Sequence, residues 1–182
     1  MTKEELYNII KLNLSMPEGK YNNGNKCDKT IKQTVINQIK AYAQDENLTF
    51  TLDESNDKNE FARVDILFTM NNVKYAIELK TRPSNKHTDY NDVMFEQDKL
   101  DVLKQYITSG YNSYFLNVWA DDYYQMYDIS KITDDEIRKD KSYQYKTTQF
   151  NKYEHKEYID KIFLPTKSPS LISEGDLYGR NN

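Results

Sequence analysis

The chain has 182 residues, 30% of them charged and 37% hydrophobic, with a formal net charge of −4. That length suits one domain with a sizeable core; the acidic balance does not predict a nucleic-acid partner, while basic patches at residues 80–87 and around Lys139, Lys141, Lys146 and Lys152 permit one. A single cysteine, Cys27, excludes an internal disulfide framework and a Cys-based zinc site. No stretch approaches the length of a membrane span and residues 1–5 form no apolar signal region, so a reducing, cytoplasmic-type compartment is expected.

In chain order, Thr2-Lys3-Glu4-Glu5 is a capping box, and Leu6, Ile9, Ile10 and Leu14 follow at helical spacing. A helix over residues 1–16 should therefore stop before Pro17. A second helix is expected from Asp28 or Thr30, with Ile31, Val35, Ile39 and Tyr42 as its apolar stripe. Residues 49–52 read as a short strand and 53–60 as a polar loop. Two β-rich runs, residues 62–70 and 73–80, flank Asn71-Asn72, a hairpin turn signal because Asn tolerates positive φ. A third helix is expected over residues 91–109 with Leu100, Leu103 and Ile107 inward, stopped by Gly110. Residues 113–120 and 123–129 read as strands, 133–136 as a short capped helix, and 158–164 as a last strand closed by Pro165. This order describes an α/β (α+β) domain with a central mixed sheet.

The hairpin carries the chemistry. If Met70 pairs with Val73 around the Asn-Asn turn, Asp65 lies opposite Glu78, and strand alternation puts Val64, Ile66, Phe68, Tyr75, Ile77 and Leu79 on one face. Asp65, Glu78 and Lys80 then share the other face. Opposed strand residues hold their Cβ atoms roughly 4.5–5.5 Å apart, so two carboxylates there repel and need compensation. A divalent cation such as Mg²⁺ or Mn²⁺ suits such oxygen ligands, and Lys80 is placed to orient or deprotonate an attacking water, or to steady a negative phosphorus centre. Two acids on a metal plus one lysine are parts for phosphodiester hydrolysis. The alternative is a solvent-facing Asp65 beside an ordinary Glu78–Lys80 surface pair.

Val64-Asp65-Ile66 followed by Ile77-Glu78-Leu79-Lys80-Thr81 resembles the PD-(D/E)xK nuclease superfamily. Spacing and following segments are most similar to Holliday-junction resolvases and related phage recombination nucleases, over about residues 28–130. The resemblance implies a restriction-endonuclease-like three-layer fold, a central mixed β-sheet flanked by helices. It implies metal-dependent DNA endonuclease activity on branched or duplex DNA, with Mg²⁺ (or Mn²⁺) held by Asp65, Glu78 and the Leu79 carbonyl. It also implies a homodimer, a cytoplasmic setting in a prokaryotic or phage-infected cell, and no membrane partner. One nuclease domain is expected over residues 1–182, with its core at 28–165 and a flexible tail at 170–182. Val64 stands where the family name has proline, and Gln33 where many relatives carry a metal-associated glutamate; an amide can still ligate metal, with less charge. Lys32 is the next candidate for that position, and Gln38 on the same helix could serve instead or is a satisfied polar core residue.

Further candidates are Gln97, placed near the active centre by the resemblance or else an exposed first-turn residue, and Arg82 and Lys86, which contact phosphate or make structural ion pairs. His87 is an acid, a phosphate contact or a solvated loop residue. The competing functional readings are an exonuclease or restriction-type endonuclease on the same site, and a degenerate nuclease-fold protein that binds nucleic acid or a protein partner without cutting.

Overall fold

The computed structural model describes residues 24–57, 62–82, 84–121, 123–148 and 151–176. The helix expected over residues 1–16 lies outside them. Helix α1 (Gly24–Asp45) begins earlier than expected, so Thr30 sits inside it, where its carbonyl accepts from Thr34 Oγ1 at 2.9 Å. Strand β1 (Phe50–Leu52) and a one-turn helix α2 (Glu54–Asp57) follow; α2 stands within the expected polar loop.

Strands β2 (Ile66–Met70) and β3 (Val73–Arg82) form the anticipated hairpin, with Ile66 opposite Ile77 and Met70 opposite Val73. Asn71 and Asn72 both have positive φ, 49° and 65°, which is why a two-residue asparagine turn closes it. The ladder stops at Ile66, because the chain bends at residues 63–65. Two expectations change as a result. Asp65 is not a paired strand residue, and Val64 turns to the opposite core from Ile66 and Phe68.

The expected helix over residues 91–109 divides in two. Strand β4 (Asp92–Glu96) comes first, then helix α3 (Gln97–Thr108). Val93 and Phe95 are buried while Asp92, Met94 and Glu96 are only half-buried, a period of two that fits a strand and not a helix. Gly110 closes α3 at φ 86°, with its N–H donating to Ile107 O at 2.9 Å. Strands β5 (Tyr111–Trp119) and β6 (Tyr123–Asp128) follow as anticipated. The short capped helix is a 3-10 turn, Asp134–Glu136, with its Thr133/Glu136 capping box formed. Strand β7 (Arg138–Thr148), which the sequence reading missed, pairs with β8 (Asn151–Pro165). The expected last strand is therefore longer and is not last.

Six strands form the central sheet in the order β1-β2-β3-β5-β6-β9, where β9 is Leu171–Asp176. Only β3 and β5 run parallel, joined through β4 and α3; the other pairs are antiparallel, so the sheet is mixed. Ile31, Val35, Ile36 and Ile39 of α1 pack on one face against Ile66, Phe68, Tyr75 and Ile77. The other face is covered by Leu100 and Leu103 of α3 and by Val93, Phe95, Ile162 and Leu164 from the three-stranded sheet β4-β8-β7. This is the expected three-layer α/β architecture, with a small second sheet sharing one outer layer with α3.

The tail expected from residue 170 instead supplies β9. Tyr124 OH and Ser173 Oγ lie 2.9 Å apart, Leu171 packs on one core and Ile172 on the other. Ending the chain after Ser170 should therefore cost at least about 3 kcal/mol, since the two partly buried side chains Leu171 and Ile172 are lost and buried β6 becomes an open edge. Urea unfolding checks this; an unchanged midpoint would mean that β9 adds nothing.

Candidate active site

Glu78, Lys80 and Arg82 alternate along β3, and the parallel register sets them beside Phe115, Asn117 and Trp119 of β5. Phe115 and Trp119 belong to the core on the α3 side, so this charged row runs into the protein at Glu78 and emerges at exposed Lys80. Asp65 arrives from the bend before β2. The Asp53 carboxylate caps α2 by accepting from Ser55 Oγ at 2.6 Å and Asn56 N at 3.1 Å, and these bonds, Ser55's first, hold its carboxyl below the usual range. Asn56 Nδ2 in turn donates to Val64 O at 3.1 Å, tying down the residue before Asp65. From there Asp65 Oδ2 accepts from Leu79 N at 2.7 Å, so its carboxylate reaches β3 next to Glu78.

Glu78 is the buried member, 8% exposed. Its Oε1 is 2.8 Å from Lys99 Nζ, which also donates to Arg63 O at 3.1 Å. Its Oε2 is buried without a hydrogen-bond partner among the described residues. Burial, and after it the charge of Asp65, push the Glu78 carboxyl up to about 7 against the opposing pull of Lys99 and Lys80. Burial pulls the Lys99 ammonium down, but Glu78, Asp65 and Glu96 outweigh it and the net shift is upward. Part of the compensation that two neighbouring carboxylates require thus comes from a lysine on α3.

Glu78, Lys80, Arg82, Glu96 and Lys99 line a cleft of about 50 Å³, room for an ion or a few waters. Among the described residues no group of three His, Cys, Asp or Glu side chains gathers anywhere. Two carboxylates, one with an unpartnered oxygen, nevertheless form a hard donor set that fits Mg²⁺ or Mn²⁺, since Mg²⁺ is commonly held by one or two carboxylates and keeps several waters.

Of the other candidates Arg82 lines the same cleft, and the rest lie elsewhere. Gln33 is exposed on α1 and donates to Asn37 Oδ1 at 2.9 Å along its own helix. Both polar atoms of the Gln38 amide are buried without a partner among the described residues, so it is not the satisfied core residue anticipated. Gln97 opens α3 and donates to Asp101 Oδ1 at 2.9 Å, lining a separate depression with Lys139 and Lys161. Arg82 is half-buried; its Nε donates to Asn117 Oδ1 at 3.1 Å and its Nη2 to the Met94 carbonyl. Lys86 is exposed, with its backbone N–H on Asp89 Oδ2 at 2.7 Å. His87 is partly exposed but not free: its Nδ1 lies 2.6 Å from Asp121 Oδ2 and its ring stacks on Tyr123 at 3.9 Å.

No family model matches the chain, and no curated protein does. Among solved structures it is similar to Hjc, a Holliday junction resolvase from the archaeal hyperthermophile Archaeoglobus fulgidus, with 11% identity and a TM-score of 0.35. The match covers 69% of this chain and 83% of that one. So loose a superposition carries no residue role from one chain to the other.

Lys99 is the residue that sequence reasoning missed. The signal was available, because Lys99 stands three and four residues before Val102 and Leu103 and so shares the buried flank of α3.

In the metal-free protein Glu78 should titrate near pH 7, and Lys99→Met should raise that midpoint, since the ammonium favours the ionised carboxylate. The folded-state value lies above the ordinary 4.5, so the folded state binds the proton more tightly and stability falls as pH rises between those values. Relative to Glu78→Gln, wild type should lose up to about 3 kcal/mol between about pH 4 and pH 8. Urea unfolding at both pH values reads this; a gap independent of pH would contradict it.

Proposed function

We propose that the chain is a metal-dependent nuclease that hydrolyses phosphodiester bonds of DNA, acting at the Asp65–Glu78–Lys80 cluster as a homodimer. The observation that carries this reading is the buried Glu78 carboxylate with one unpartnered oxygen, close to Asp65 and lining a cleft that Lys80 also lines. A purely structural strand gains nothing from that arrangement, because an unpaired buried polar atom costs stability.

Asp65, Glu78 and the Leu79 carbonyl are the groups that would hold Mg²⁺ or Mn²⁺. When bound, the cation supplies polarisation of the phosphate and neutralisation of its charge. Asp65 keeps its place through the Leu79 N–H, which leaves its carboxylate fixed relative to β3. Lys80, exposed at the mouth, is positioned to hold the attacking water or to face the charge that develops on phosphorus. Lys99 holds Glu78 in its rotamer and, through its charge, keeps the carboxyl from rising further. Gln33 and Gln97 are not assigned catalytic roles, since each is engaged along its own helix. The resolvase subclass and branched DNA rest on the sequence resemblance alone.

A second reading is favoured by one observation. The Lys99 ammonium already compensates Glu78, so the cluster can be neutral without a metal, as in a nuclease-fold protein that binds DNA and does not cut.

Labelled four-way junction, linear duplex and single-stranded DNA incubated with Mg²⁺, Mn²⁺ or EDTA separate the two. Cleavage should require the metal and fall at least about 100-fold in Asp65→Asn, Glu78→Gln and Lys80→Ala, the scale of lost acid–base and electrostatic assistance. Stable binding with no cleavage of any substrate would establish the second reading.

A further inference from the structure

A second cavity, of about 200 Å³, opens beside the Glu78 cleft and shares Arg82 and Met94 with it. Its aromatic lining is Tyr90, Trp119 and Phe163. Tyr90 is half exposed, and is the exposed large hydrophobic side chain among the described residues. Its ring lies near-parallel to that of buried Trp119, at 17° and 6.1 Å between centroids. Asn85 and Asp92 bring polar atoms to the same space. A cavity of about 150 Å³ suffices to hold a benzene-sized ring, so this one has room for a single flat heterocycle.

The loop that carries Tyr90 is pinned and not loose. Ala120 N donates to Asn85 O at 2.9 Å, Asn85 Nδ2 donates to Tyr90 OH at 3.2 Å, and His87 is fixed on Asp121 and Tyr123. On the far side Arg138 covers the Phe163 ring at 3.8 Å and binds Asp92 at 2.9 Å. An aromatic ring held half exposed by its own hydroxyl over a preformed cavity is a platform that needs little reorganisation on binding.

We propose that this cavity takes one unpaired nucleobase, so that the substrate of the neighbouring cleft is DNA with a single-stranded nucleotide close to the scissile bond. The occupant follows from position, shape and charge. Arg82 stands four residues beyond Glu78 on β3, about 13 Å at the usual strand rise, a few nucleotides along one strand. A base stacked and paired inside a duplex cannot enter such a pocket, whereas an unpaired one can stack on aromatic rings. With a net charge of −4 the chain has little overall attraction for phosphate, which leaves stacking to carry affinity. The proposal rests on the nuclease reading for the choice of DNA as ligand and for the scissile bond beside the cavity.

The test uses the full chain in EDTA, where metal-dependent cleavage cannot intervene. A short oligothymidylate is titrated beside an oligomer of equal length made entirely of abasic sites, which carries the same phosphate charge and no bases. Labelled-strand anisotropy reads affinity, and the intrinsic emission of Trp119, the single tryptophan of the chain, reads occupancy of the cavity. Oligothymidylate should bind about tenfold tighter than the abasic strand and change the Trp119 emission. Tyr90→Ala should erase that preference, and Tyr90→Phe should retain most of it; both should keep the wild-type circular dichroism spectrum. Equal binding of the two strands, a preference that survives in Tyr90→Ala, or an equal Trp119 response to blunt duplex would each overturn the proposal. A protein that passes this test but cuts nothing keeps the pocket and loses the catalytic reading. One that cuts, yet binds both strands alike, keeps the catalytic reading and loses the pocket.

Discussion

A carboxylate taken out of water must either find compensating charge or give up its own, and Glu78 stands between the two outcomes. It sits in the middle of the sheet's only parallel strand pair among the described residues, with Asp65 on one side and the Lys99 ammonium on the other. Burial and Asp65 drive it towards the neutral acid; Lys99 and Lys80 draw it back towards the anion. The balance falls near neutral pH, where a further positive charge of any kind shifts it decisively. The rest of the molecule can be understood as what holds these groups against their mutual repulsion.

Three separate elements do that holding. The apolar face of the hairpin, Ile66, Phe68, Tyr75 and Ile77, is clamped by α1, which fixes the opposite face of β3. The bend before β2 is set by Asp53 and Asn56, and delivers Asp65 to the Leu79 N–H. Leu100 and Leu103 anchor α3 in the second core, so that Lys99 meets Glu78. None of the three is local to the Glu78-Leu79-Lys80 run of β3. Strand β5 then continues the same face outward through Asn117 and Trp119, linking the charged cleft to the aromatic cavity.

Sequence alone made the hairpin legible because its signals are local and agree: β-rich runs, a two-asparagine turn, and an alternation that fixes register. The α3 stop at Gly110 and the Thr133–Glu136 capping box were legible for the same reason. What escaped were decisions made by distant partners. Asp92–Glu96 is a strand because β8 pairs with it, and in the sequence its five residues run without a break into the helix that follows. Leu171–Asp176 is a strand because β6 offers an edge. Val64 changes face because the bend before β2, not the hairpin register, controls it. The acidic pair with Lys80 could be read from spacing, but Lys99 reaches Glu78 across 21 positions of sequence, and only the packing of α3 reveals it.

The proposed function requires the Glu78–Asp65 pair to act as a cation site, held in reserve by a proton and a lysine. Calorimetric titration of the chain with Mn²⁺, in buffers of different ionisation enthalpy at about pH 6.5 and pH 8, tests this most directly. The account predicts saturable binding that is tighter at the higher pH and releases protons at the lower one, because Glu78 must ionise to take part. Glu78→Gln should abolish it. Binding indifferent to pH and to that substitution, or no binding by a folded wild-type chain, would contradict the account and leave the cluster as a buried ion pair.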